Sequence, residues 1–233
     1  MPIQIRYATE SDSPDLVHIN TVSFAPGLFY QNAFANVKVS ALQTLKYART
    51  FARFVDPKYH LLVATESETG RVIAFMRVVI PLHYQQDSHS LTELSEDANK
   101  MAAKPDEYLP EGINKRVYTC YLDMLKSSRE RYLGENDMST LSSTIVLDFL
   151  ATDPEYQGRG IGSQMLKWAT QKADSLNARM FLEATEEGYP LYKKYGWNTQ
   201  EEVVLDFEPL GGHNKGRYYI MIRDPIPGTV QPN

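Results

Sequence analysis

Gln157-Gly158-Arg159-Gly160-Ile161-Gly162 places three glycines within five residues, between an apolar run of strand length and a run of helical periodicity. Thr144 to Ala151 (TIVLDFLA) is partly β-branched, a turn follows at Asp153-Pro154, and Ile161, Met165, Trp168, Ala169, Ala173 and Leu176 recur at helical spacing. Glycines let the backbone approach a ligand without Cβ clashes, and the first N–H groups of a helix have no partner inside it. Those donors and the helix dipole favour an anion, and the planar fork of Arg159 suits phosphate oxygens. The chemistry on offer is pyrophosphate binding. A nucleoside-triphosphate loop would need Gly-Lys followed by Ser or Thr, which is absent, and a dinucleotide fingerprint would need its third glycine at position 163, where Ser163 stands. An ordinary strand-to-helix turn is the competing reading.

Two carboxylates interrupt apolar strands. Strict alternation puts Asp148 on one face with Leu150, and Leu147, Phe149 and Ala151 on the other. A carboxylate there needs a partner, either an arginine or a backbone donor of a neighbouring strand, or a proton to move. Glu183 raises the same question in Met180 to Thr185 (MFLEAT). The five histidines show no H-x-x-x-H or H-E spacing and Cys120 is the only cysteine, so no metal site is expected and no internal disulfide can form.

The stretch from Leu147 to Trp197 resembles the GNAT superfamily of acyl-coenzyme A transferases. Gln157, Gly160 and Gly162 fill the fixed positions of its loop, which reads Arg or Gln, two residues, Gly, one residue, then Gly or Ala. Met180 to Thr185 is similar to the next strand, and Leu191-Tyr192-Lys193-Lys194-Tyr195-Gly196-Trp197 to the family's Leu-Tyr-x-Lys-x-Gly-Phe helix end. Ile3 to Asp15 is similar to its opening strand and helix cap.

The resemblance implies acetyl-coenzyme A as co-substrate. Leu150, Ala151, Gln157, Gly158, Arg159, Gly160, Ile161, Gly162, Ser163, Thr185 and Tyr192 would contact the cofactor. Tyr192 would be the acid that protonates the leaving thiolate, and Asp148 or Glu183 the base. Thr185 stands where many members carry Asn, keeping one hydrogen bond. The implied reaction is acetyl transfer to a primary amine by direct attack in a ternary complex. The pattern is most similar to a fungal-type member acting on small molecules. A silent coenzyme A-binding module and a peptide or protein N-acetyltransferase are the alternatives. Glu186 and Glu187 would favour a cationic acceptor.

The elements that must position these residues belong to one domain, 1–233, since no Pro/Gly/Ser-rich linker or charge block divides the 233 residues. Hydrophobic content of 42% and charged content of 23% are ordinary for a globular chain, and a net charge of −5 gives no basic footprint for nucleic acid. No apolar stretch approaches the ~18 residues of a membrane helix, and Met1-Pro2-Ile3-Gln4 opens without a signal region, so a cytoplasmic monomer or homodimer is expected.

Strands are expected at Ile3 to Tyr7, His60 to Thr65, Val72 to Ile80, Val203 to Phe207 and Arg217 to Ile222, and helices at Asp15 to Ser23 and Ala33 to Phe54. The fold class is α/β (α+β), a mixed, mainly antiparallel sheet flanked by helices. A helical insertion at about 85–143, with Ile113, Val117, Tyr121, Met124 and Leu125 on one face, precedes a cofactor-binding core at about 144–197. By resemblance the insertion helps form the acceptor pocket; by length alone it equally well covers the sheet.

Overall fold

A computed structural model describes residues 2–84, 91–134 and 143–226. Seven strands form one sheet in the order β1-β2-β3-β4-β5-β7-β6: β1 (Ile3–Tyr7), β2 (Tyr59–Glu66), β3 (Val72–Val79), β4 (Ile145–Thr152), β5 (Met180–Thr185), β6 (Asn198–Asp206) and β7 (Lys215–Arg223). Every neighbouring pair is antiparallel except β4 with β5, as the sequence expects of a mainly antiparallel sheet. The helices are α1 (Ser13–Phe24), α2 (Leu28–Ala33), α3 (Val39–Phe54), α4 (Glu96–Ala103), α5 (Lys115–Leu133), α6 (Ile161–Ser175) and α7 (Tyr189–Lys194).

Each face of the sheet has its own core. On the first, Leu16 and Ile19 of α1, Phe51 and Phe54 of α3 and Met124 of α5 pack against Val63, Phe75, Val146 and Phe181. On the second, Ile161, Met165 and Leu166 of α6 and Trp197 pack against Met76, Leu147, Met180 and Met221. The strands between the two layers read as near-continuous apolar runs because both sides are covered.

The helix expected from Ala33 to Phe54 is α3, which starts later, at Val39, and Ala33 ends the separate helix α2. α2 stops at Ala33 and α3 starts at Val39 because Phe34 and Val37 are drawn out of the helical path to pack on Ile113, Val117 and Phe207. The insertion is indeed helical. Ser95 caps α4 by accepting from the Ala98 N–H, and donates to the Glu10 carboxylate. Asn114 caps α5 by accepting from Val117 N–H. Gly134 closes α5 in the left-handed conformation. The parts of the insertion at 85–90 and 135–142 lie outside the described residues.

Candidate active site

β4 and β5 are hydrogen-bonded only where Ile145 meets Met180 and Val146 meets Phe181, although β4 runs on to Thr152 and β5 to Thr185. Beyond those two pairs the parallel strands separate. The side of β4 that faces β5 therefore leaves backbone donors and acceptors unpaired in a wedge between the strands, and Asp148, Phe149 and Leu150 are partly exposed there. A wedge of this kind takes an extended ligand that completes the missing ladder.

At the wide end of the wedge lies the glycine loop. Asp153 accepts from the Glu155 N–H and starts a single 3-10 turn, after which Gly158 and Gly160 adopt φ of 75° and 77°. An added Cβ would meet nothing within 4 Å at either glycine, so backbone conformation and not crowding demands glycine, and the space in front of both is open. Gly160 is the N-cap of α6. From Gly158 to Ser163, six consecutive backbone N–H groups donate to no acceptor among the described residues. This is an anion cradle at the positive end of a 15-residue helix.

Gln157 and Arg159 brace the loop. Gln157 Nε2 donates to the Thr152 carbonyl at 3.1 Å, and Arg159 Nη2 to the Glu155 carbonyl at 2.9 Å. Arg71 and Arg159 both lie over the ring of Tyr156, so two guanidinium groups stand beside the cradle. Ile161 is buried in the second core and anchors the helix start. Ser163 is partly exposed one residue beyond Gly162.

α7 forms the other wall on the second face. Thr185 ends β5, and its Oγ1 accepts from Gly188 N–H at 3.4 Å. A Cβ on Gly188 would sit 3.1 Å from Cε2 of Tyr192 and 3.7 Å from Thr185 Oγ1, so the glycine lets the phenol ring and the threonine hydroxyl come together. Tyr192 packs edge-on against Trp197, with ring centroids 6.0 Å apart. Its hydroxyl has no hydrogen-bond partner among the described residues, and burial pushes its pKa well above that of a free phenol. Tyr189, by contrast, stacks on Tyr219 and accepts from Thr199. Tyr192 is thus a protonated donor over the whole physiological range.

The two carboxylates are elsewhere than strict alternation predicts. Phe149 pairs with Arg77 and Leu147 with Val78, which leaves Asp148 as the extra residue of a β-bulge. Asp148 and Phe149 both point to the first face, whereas Leu150 joins Leu147 on the second and Ala151 belongs to the first core. The expectation that Asp148 shares a face with Leu150 fails because one inserted residue shifts the period by one.

On the first face, Arg77 donates to Asp148, while Arg129 of α5 lies 3.6 Å from it. Arg129 also donates to both oxygens of Glu183, at 2.9 and 3.3 Å, and Ser128 Oγ donates to Glu183 at 3.0 Å. Burial raises the pKa of Asp148, but Arg77 and Arg129 outweigh it and hold the group below the usual carboxylate range. For Glu183 burial wins over Arg129, and its pKa is raised. Of the two, only Glu183 is held above the usual carboxylate range, in the direction that makes a carboxylate a stronger base.

Sequence reasoning missed Arg77, Arg129 and Ser128. The single charge in VIAFMRVV was a signal for Arg77; nothing local marks Arg129, whose partner lies 54 residues away. The insertion therefore has two roles: Met124 covers the sheet, and Ser128 and Arg129 border the wedge. Among the described residues no group of His, Cys, Asp and Glu could hold a metal ion, and no helix is long and apolar enough to cross a membrane.

Residues 116–199, which include α5, β4, the loop, α6, β5 and α7, match the family described as "Acetyltransferase (GNAT) domain". No curated protein matches the chain. Among solved structures, a histone acetyltransferase HPA2 and related acetyltransferase from Corynebacterium glutamicum superposes with a TM-score of 0.58 at 16% identity, covering 99% of this chain and 100% of the other. A Sinorhizobium meliloti phosphinothricin acetyltransferase in complex with AcCoA gives 0.54 at 14%, covering 100% and 94%. A Drosophila melanogaster polyamine N-acetyltransferase gives 0.54 at 15%, covering 96% and 100%.

Proposed function

We propose that this chain, which carries a GNAT acetyltransferase domain, moves an acetyl group from acetyl-coenzyme A to the primary amine of a small molecule by direct attack within a ternary complex. One observation carries the reading: the run of six unpartnered N–H groups from Gly158 to Ser163 opens onto the separated ends of β4 and β5. A pyrophosphate in the cradle is neutralised by the helix dipole, Arg71 and Arg159. The extended arm of coenzyme A then fits along β4, where backbone groups of Leu150 and Ala151 are unpaired on the β5 side. Bound acetyl-coenzyme A supplies an acetyl thioester at the narrow end of the wedge.

The chain's own groups divide the proton work. The acceptor must attack as a neutral amine and lose a proton as the N–C bond forms. In this reading Glu183, whose pKa burial raises, takes that proton directly or through water, while Asp148 stays ionised between Arg77 and Arg129. As the C–S bond breaks, the thiolate needs a proton, and in this reading it comes from the hydroxyl of Tyr192, whose ring lies across Gly188 from Thr185. A donor held neutral by burial on one side and a proton acceptor on the other is the arrangement that acyl transfer to an amine requires. Thr185 Oγ1 is positioned to hydrogen-bond the cofactor arm.

Two measurements test the reading: calorimetric binding of coenzyme A to the full chain, and release of free thiol from acetyl-coenzyme A across a panel of amines. Affinity together with amine-dependent thiol release is the expected result. Binding without release from any amine would overturn catalysis and leave a binding module; absence of binding would remove the assignment of the cradle.

A further inference from the structure

Two guanidinium groups pair with the two carboxylates of the first face, and a third, on the same face, has no ion pair among the described residues. Arg77 takes Asp148, and Arg129 takes Glu183. Arg53, in the last turn of α3, contributes to the field that keeps Asp148 ionised, yet it makes no hydrogen bond or ion pair among the described residues. It lies on the ring of Tyr59 with the guanidinium carbon 4.4 Å from the centroid, and its Nε is shut off from water without an acceptor.

Arg53 is also the end of a row. Lys46, Arg49 and Arg53 follow the i, i+3, i+7 spacing of one helix face, and each lies over an aromatic ring, Tyr30, Tyr118 and Tyr59 respectively. Among the described residues Lys46 Nζ is buried with no acceptor, and the one carboxylate that forms an ion pair with the row is Asp106, 3.4 Å from Arg49. α3 thus presents basic side chains in excess of their anions, with Arg53 at the end of the row on the first face of the sheet. A guanidinium resting on a ring keeps its planar donor edge free, and that edge matches a carboxylate.

We propose that Arg53 receives a carboxylate carried by the acceptor, so that the substrate is a small amino acid or a closely similar molecule bearing both an amine and an anionic group. The assignment rests on the acetyl-transfer reading above and names its substrate class. It runs opposite to the cationic acceptor that Glu186 and Glu187 would favour, because those two side chains are exposed in the turn between β5 and α7, whereas Arg53 lies on Tyr59, part of the first core against which Phe149 packs. Binding supplies the missing acceptor for the guanidinium and leaves the amine to approach the thioester and Glu183.

The test uses the full chain with acetyl-coenzyme A and matched acceptors: free amino acids, their α-amides, the decarboxylated amines, and spermidine. Thiol release should be at least about tenfold faster in kcat/KM for some free acid than for its amide. Arg53→Met should bring that acid down to the level of the amide chiefly through KM, with coenzyme A affinity unchanged, and Arg53→Lys should restore part of the preference. Equal or better turnover of amides, amines or spermidine overturns the proposal, and does so with the unaltered protein even if the variants fail to fold. Coenzyme A binding without any amino acid being acetylated, or binding in a thermal-shift assay, also overturns it. If coenzyme A itself does not bind, the acetyl-transfer reading has failed, a distinguishable result.

Discussion

Asp148 and Phe149 are consecutive in β4 yet point to the same face of the sheet, Asp148 to Arg129 of α5 and Phe149 to Phe24 of α1, whose ring centroid is 4.7 Å away. In a regular strand they would oppose each other. The bulge that brings them together also sends Leu150 to the second face, and it lies just beyond Val146, where the pairing of β4 with β5 stops. The polar cluster and the mouth of the wedge thus meet at one irregular residue.

Gly160→Asp tests the cradle. Position 160 requires φ of 77°, and Asp is among the few residues that tolerate this region, so the fold should survive with a loss of about 1 kcal/mol. The new carboxylate occupies open space in front of the N–H groups, where it repels a pyrophosphate. Coenzyme A affinity by calorimetry should fall roughly a hundredfold or more. Unchanged affinity in a folded variant would remove the cradle from the binding site.

Tyr192→Phe removes one hydroxyl and keeps the ring against Trp197. With a burial-raised pKa the hydroxyl acts only as a donor, so turnover should drop by roughly ten- to a thousandfold while coenzyme A affinity is held. A variant that turns over like the parent would exclude Tyr192 as the obligatory acid. Loss of affinity would make it a ground-state contact.

Features set by short stretches of chain were legible in the sequence. The loop from Gln157 to Gly162 could be read because glycine conformation and helix-start donors are local properties, and Met180 to Thr185 coincides with β5 because both its faces are apolar. Features set by distant partners were not. Whether Asp148 faces Leu150 or Phe149 depends on its register with Arg77, 71 residues earlier, and the surplus of Arg53 follows only once α3, β3, β4 and α5 lie side by side. The break between α2 and α3 belongs to the same class, since Phe34 and Val37 are helix-compatible and leave the helix for contacts with Val117 and Phe207.

Glu183 gives a pH-dependent prediction for both stability and rate. Its native pKa is raised, so the folded state holds the proton more tightly than the unfolded chain. That contribution is full below the ordinary glutamate range and is lost as pH rises through the native value. Glu183→Gln, which cannot ionise, should gain stability relative to the parent as pH rises above the ordinary glutamate range in denaturant titrations. The same variant should lose the acid limb of kcat/KM. A stability difference that stays constant across this range would show that Glu183 titrates at its ordinary value, and an intact acid limb would assign the base to another group.

Lys46 makes the opposite prediction. Burial lowers its pKa from 10.5 to about 7, and among the described residues its Nζ has only the face of Tyr30, 5.0 Å from the ring centroid, to replace water. Between those two values the unfolded chain carries the proton and the native state does not, so stability rises with pH across the window. Below about 7 the folded protein must hold a buried ammonium and bears the full cost. Lys46→Met keeps the length of the side chain and removes the charge. The variant should therefore be more stable than the parent at about pH 6 in denaturant titrations, with its advantage shrinking as pH approaches about 10. A constant difference between the two proteins over this window would mean that Lys46 titrates normally. A variant less stable than the parent at the lower pH would mean that the ammonium is well paired, and would take Lys46 out of the row of unsatisfied cations on α3.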